Sequence, residues 1–249
     1  MGKIELRAWV YTRKQLSDAL LNNSISLVYC PIGLIDKSLE NDREEIIISP
    51  PEYLADCEEQ VKQRLKELYD SGFRCAVAHT VGHIELLKSI GFTIYGGNRL
   101  NCTNSNTADF LGEEGVEDII LSPELTVKRI NSISPKIKRG ILAYGYLPLM
   151  INRRCPINNG KPCNTKNCGR QITDRLGNKL DVICSENMVE ILNSEPLILS
   201  DKLSDFDTDF LVLRFTVETE INPIIEAYIN GEKMGIKKFT RGLYYRGVE

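Results

Sequence analysis

"FRCAVAHTVGHIELLKSIGFTIYGG" (73–97) is the stretch on which the fold turns. Two short apolar runs, "RCAVAH" (74–79) and "FTIYG" (92–96), flank a segment with helix punctuation. Thr80 is suited to cap its start and Gly91 to end it. Strand, helix and strand in so short a span predict a βαβ unit. The strands are apolar almost without interruption, as a parallel sheet covered on both faces requires.

The same alternation extends along the chain in both directions. Further apolar runs are "LRAWVY" (6–11), "SLVYC" (26–30), "IIIS" (46–49), "DIILS" (118–122), "GILAYG" (140–145) and "FLVLRF" (210–215). Thr12 and Gln15 form a capping box ahead of Leu16, Ala19 and Leu20. Leu54, Cys57, Val61, Leu65 and Leu68 make one apolar stripe closed by Gly72, and Ser122, Pro123 and Glu124 predict a helix start. The link from "SLVYC" to "IIIS" reads as an irregular loop. Eight strand candidates with helices between them in 249 residues predict an α/β fold, a (β/α)8 TIM-type barrel. An open doubly wound sheet is the rival, weakened because no G-x-G-x-x-G follows a strand.

A barrel of this kind carries its active face at the C-terminal ends of its strands. About 65 residues separate "GILAYG" from "FLVLRF", far too many for one βα connection. Residues 1–249 are therefore read as a single barrel domain, with 146–205 an inserted Cys-rich subdomain after the seventh strand, over the active face. Within it, "GRQITDRLGNKLDVIC" predicts a hairpin turning at Gly177-Asn178.

The composition, 42% hydrophobic and 26% charged, is that of an ordinary soluble globular protein. No apolar run approaches the roughly 20 residues of a membrane span, so no membrane partner is expected. The opening "MGKIELRAWVYTRKQ" lacks the apolar core of a signal peptide, and Leu6 stands where myristoylation wants Ser or Thr. The expected location is cytoplasmic, where thiols stay reduced, bind metal or do chemistry. The formal net charge is −3, yet from Lys136 to Lys179 ten basic residues face one acid, Asp174. That segment is a candidate RNA contact.

Four of the eight cysteines, Cys155, Cys163, Cys168 and Cys184, fall in the insertion with spacing C-x7-C-x4-C-x15-C. A disulfide is the least favoured explanation in a reducing compartment. Structural zinc usually takes C-x2-4-C pairs, whereas an iron–sulfur cluster tolerates looser spacing. Spacing alone does not separate the two metals. Arg153, Arg154 and Arg170 would offset the charge of four thiolates in either case and favour the ligating form. Among the others, Cys57 lies on a helix stripe, Cys30 and Cys75 lie in strands, and Cys102 sits in a loop of the active face.

His79 and His83 are the chain's two histidines. "HTVGH" lacks the glutamate of a zinc-protease helix, and His79 falls at a strand end, so a structural role is favoured. The polar loop "GGNRLNCTNSNTADF" offers Asn101 and Asn104 for binding a carboxylate or phosphate, with helix capping equally suited to Asn104. Glu124 and Arg214 lie beside other strand ends and are further candidates for acid–base work or anion binding, as are Arg153 and Arg154. No catalytic residue is assigned.

"GYLPLMINRRCPINN", "QITDRLGNKLDVIC", "ILNSEPLIL", "LSPEL" and the closing "FTRGLYYRG" together resemble the peptidase U32 family, the collagenase-like proteins, and in particular the C-terminal barrel of its long members. The resemblance implies a TIM-type barrel and a 4Fe-4S cluster held by Cys155, Cys163, Cys168 and Cys184. It also implies either peptidase activity or a part in hydroxylating RNA bases or quinone precursors, with prephenate implicated for RNA. Tyr146 stands where a basic residue is common, and Gly97 where an acid commonly precedes the Asn-rich loop. Another domain or subunit of the same family is a possible partner. The expected function is thus cluster-dependent hydroxylation of an RNA base or small aromatic. The alternatives are a collagenase-like peptidase and a non-catalytic binding barrel stapled by zinc.

Overall fold

A computed structural model describes residues 4–54, 56–158, 170–185 and 188–247. Seven parallel strands come in chain order: β1 (Glu5–Trp9), β2 (Ile25–Pro31), β3 (Ile46–Ser49), β4 (Cys75–Ala78), β5 (Thr93–Gly96), β6 (Val116–Ile120) and β7 (Lys138–Gly145). After an insertion of strands β8 (Pro148–Asn152), β9 (Gln171–Thr173), β10 (Lys179–Ser185) and β11 (Met188–Leu192), a short β12 (Leu197–Ile198) leads to β13 (Phe210–Arg214). β13 pairs in parallel with both β7 and β1 and closes an eight-stranded barrel. β12 adds antiparallel to the C-terminal end of β7. All eight predicted strands are in the barrel.

Helices α1 (Arg13–Leu20), α2 (Glu58–Asp70), α3 (Val81–Ile90), α4 (Ser105–Glu113), α5 (Val127–Ser132) and α6 (Asn222–Asn230) follow strands and pack outside them. Between β2 and β3 two 3-10 turns, Ile32–Leu34 and Lys37–Leu39, replace a helix. The Thr12–Gln15 capping box forms as expected, and Thr80 and Gly91 bound α3, with Gly91 left-handed. Two helix starts differ from the sequence expectation. α2 begins after Cys57 because Asp56 adopts φ +70°, which a helix cannot continue through. α5 begins after Thr126, not Ser122. Ser122 closes a turn by accepting from Leu125 N, while Val127 N donates to Tyr244 O, so contact with the C-terminal segment sets the boundary.

The insertion builds a separate antiparallel sheet in the order β8-β11-β10-β9. The predicted hairpin joins β9 and β10, with Gly177 at φ +84° and the Asp174 carboxylate accepting from Leu176 N and Asn178 N. β11 is the buried strand and has two different faces. Val189 and Ile191 join Val182 in a small core of their own, and by the two-residue period Met188, Glu190 and Leu192 face the barrel.

The barrel interior is not wholly apolar. Arg7 on β1 is buried and donates to Asp118 on β6 at 2.7 Å, to Glu5 at 2.7 Å and to Tyr29 at 3.1 Å, with its guanidinium 3.6 Å from the centre of the Phe210 ring. A buried pair of this kind is costly to break, because the surviving charge has no water to turn to. Asp118→Ala is expected to lower unfolding free energy by about 3–5 kcal/mol, read from urea denaturation. Replacing both partners with apolar residues of similar volume should recover much of that loss.

Candidate active site at the barrel mouth

The mouth is organised around two buried groups at strand ends. His79 follows β4. Its ring is wholly shielded from solvent and stacks on Trp9 at 5.6 Å, which stacks on Tyr29 at 4.8 Å. Ser49, the last residue of β3, places Oγ 3.1 Å from His79 Nε2. The His79 backbone N–H donates to His83 Nδ1 at 3.2 Å, so the neutral His83 ring carries its proton on Nε2. Burial, reinforced by Arg99 and Arg214, pushes His79 down to about 3. Burial and the neighbouring His79 push His83 down to about 4. Both rings are neutral near pH 7.

Arg214, the last residue of β13, is the second group. Its Nη2 donates to Glu190 at 2.6 Å and to the Tyr11 hydroxyl at 2.5 Å, and its Nη1 donates to Tyr146 O at 3.0 Å. Burial works against the charge, but Glu190 and Tyr11 offset it and hold Arg214 protonated. Gly145 lets the chain leave β7 here. It sits at φ +129°, and a Cβ on it would lie 2.2 Å from Arg214 O.

Between the mouth and the inserted sheet lies a cavity of about 410 Å³. Glu52, Tyr53, His79, Thr80 and Arg99 line it from the barrel, and Ile151, Asn152, Arg153 and Met188 from the insertion. Arg99 Nε lies 2.8 Å from Glu52, and Arg153 pairs with Asp56 and stands 5.6 Å over the Tyr53 ring.

The sequence candidates are dispersed. Arg153 lines the cavity and Arg214 lies buried beneath the insertion. Arg154 and Glu124 are exposed, Glu124 in the turn ahead of α5. Asn101 adopts φ +50° after a 3-10 turn, and Asn104 spends its side chain capping α4 by accepting from Thr107 N at 2.9 Å. Cys102 is buried, and burial raises its thiol. Cys163 and Cys168 lie outside the described residues. Cys184 pairs with Val189 across the ladder, and so shares the face of Val182, Val189 and Ile191 against which Cys155 packs. These two cysteines thus share the face of the sheet turned away from the barrel. Among the described residues no three metal-ligating side chains converge. The basic segment 136–179 is divided as well. Lys138 and Arg139 open β7 at the end of the barrel opposite the mouth, and Arg139 is occupied by Asp207 and Asp209.

Several site residues escaped the sequence reading. Glu52 and Arg99 sit just past strand ends, where barrel geometry alone directs attention. Glu190 had a subtler signal, a lone acid inside the apolar "MVEIL".

Two outcomes follow. Glu190→Ala strands the buried Arg214 charge and is expected to cost about 3–5 kcal/mol and to open 148–192 to limited proteolysis before the barrel unfolds. The histidines make stability pH-dependent. Unfolded, each titrates near 6.5, so below that pH the unfolded chain takes up protons that the folded one refuses. Stability is complete above about pH 6.5 and should fall by roughly 2 kcal/mol per histidine between pH 7 and 5. Urea midpoints against pH test this, and His79→Gln with His83→Gln should flatten that part of the profile.

Comparison with known proteins bears on the whole arrangement. The model of peptidase family U32 matches residues 53–171, from Tyr53 on the cavity wall to the start of β9. The fold is similar to the solved structure of the U32 peptidase Mk0906, with a TM-score of 0.50 at 10% identity over 88% of this chain and 95% of that one. No curated protein matches the chain significantly. Over residues 53–171 the chain is thus similar to peptidase family U32, and its barrel fold is that of a solved U32 peptidase.

Proposed function

We propose that this barrel is an enzyme whose mouth cavity binds a small planar aromatic ring, free or as an RNA base, and hydroxylates it with the help of a 4Fe-4S cluster on Cys155, Cys163, Cys168 and Cys184. One observation carries the reading. The same inserted sheet supplies a wall of the cavity through Ile151 and Met188 and bears Cys184, with Cys155 packed beside it, on its other face. Two thiols on one face, with Arg153 and Arg154 immediately before Cys155, suit an anionic thiolate cluster. A bound cluster would relay electrons between the oxygen donor and the ring and end the reaction in the state in which it began. Ring hydroxylation replaces C–H by C–OH and needs an oxygen-atom donor, which leaves as its deoxygenated form. The chain's own share is to bind the ring against Tyr53, orient it and exclude water beneath the insertion.

The peptidase alternative has one candidate pair, Ser49 and His79. A serine nucleophile needs a base able to take its proton. His79, pushed down to about 3 and facing Gly97 instead of an orienting acid, is poorly suited to that task. Zinc in place of the cluster would make the cysteines a staple for the roof. RNA binding through 136–179 would have to rely on the residues of the insertion, since the start of β7 lies at the far end of the barrel.

Metal and sulfide analysis of protein purified without oxygen is the test. Near four iron and four sulfide per chain, lost in Cys155→Ala, is the expected result. Stoichiometric zinc without visible absorption would replace this reading with the stapled binding barrel.

A further inference from the structure

His79 holds one polar atom that nothing in the described structure uses. Its Nε2 meets Ser49, but its Nδ1 is buried with no hydrogen-bond partner. Such an atom is unfavourable to the fold unless something satisfies it. Gly97 packs beside it, and a Cβ at that position would lie 3.1 Å from Nδ1. Arg99, another residue of the cavity wall, likewise keeps Nη2 buried and without a partner while Nε faces Glu52. The lining cations are compensated on site, Arg99 by Glu52 and Arg153 by Asp56, so the cavity offers hydrogen bonds without net charge.

We propose that His79 Nδ1 and Arg99 Nη2 recognise an exocyclic oxygen on an uncharged planar ring that lies against Tyr53, with Ser49 adjusting the histidine tautomer to the ring's need. The inference rests on the mouth cavity being the substrate site and is independent of which metal the cysteines hold. Among the described residues the Ser49 hydroxyl has no other partner, so it can rotate between its two roles. When it donates to Nε2, Nδ1 carries the proton and donates to a carbonyl. When it accepts from Nε2–H, Nδ1 is bare and accepts from a hydroxyl. The same neutral ring therefore serves a phenol or an oxo-heterocycle, and burial keeps it from becoming an imidazolium that would favour anions. His79 is a binding residue on this account, not a general base.

With two histidines in the chain, ¹⁵N-histidine NMR of the purified protein reads both rings directly. Phenol stands for a free aromatic, uridine for an RNA base and benzoate for an anionic ring. Phenol or uridine should move the His79 Nδ1 resonance saturably while His83 stays fixed, and whichever does so identifies the source of the ring. Gly97 has φ −78°, which alanine adopts readily, and the Cβ added by Gly97→Ala would press on Nδ1 and Ala78 O at 3.1 Å and on Val77 Cγ2 at 3.3 Å. It should weaken that probe about tenfold, the value of one hydrogen bond. Ser49→Ala takes away the partner of Nε2 and with it the adjustment of the tautomer, and should weaken binding of phenol or uridine about tenfold. Benzoate binding tighter than both, or saturable binding of any probe with His79 unmoved, overturns the proposal. So does the failure of all three to bind, even where iron and sulfide are present.

Discussion

The bond between Arg214 and Glu190 is the constraint on which the mouth depends. The insertion leaves the barrel after β7 and returns before β13, and its sheet has too small a core of its own, Val182, Val189 and Ile191, to fix its position. What aligns it is a buried carboxylate from β11 set on a buried guanidinium at the end of β13. The pair adds little net stability, because removing two charges from water costs nearly what their attraction returns. Its value is directional. A guanidinium already committed to Tyr11 and Tyr146 O accepts a carboxylate in one place, so the roof has one seat.

That seat explains the chemistry of the cavity beneath. With β11 fixed, Met188 closes the cavity and Ile151, opposite Glu190 in the ladder, lines it from β8. Water is kept from His79, and the ring stays neutral. Arg99, Arg153 and Arg214 at the mouth are each tied to an acid, so the cavity itself carries little net positive charge. Charge counted along a chain is a poor guide to potential at a surface when the fold sends Lys138 and Arg139 to one end of a barrel and Arg153 to the other.

The barrel was legible because its strands carry their burial in themselves. "IIIS" and "FLVLRF" need no partner to declare that both faces are covered. Caps were legible for the same local reason, as at Thr12 and Thr80, and illegible where a distant segment decides, as at Thr126, whose helix start is set by Tyr244. The closing "FTRGLYYRG", one of the stretches that resemble the U32 family, has a structural role. Arg241 binds Asp201 and Ile198 O, and Tyr244 donates to Leu142 O.

The site was less legible because its walls come from three separate loops, after β3, β4 and β5, and one inserted sheet, and no local pattern records which side chains will meet. Histidine 79 shows the difficulty most clearly. A histidine at a strand end is usually a satisfied core residue, and by burial and stacking this one looks like it. What separates it from that ordinary case is a single buried ring atom without a partner, beside Gly97, which has no side chain to supply one. A residue's function can thus be set by the absence of a neighbour, and a sequence read position by position assigns meaning chiefly to the side chains that are present.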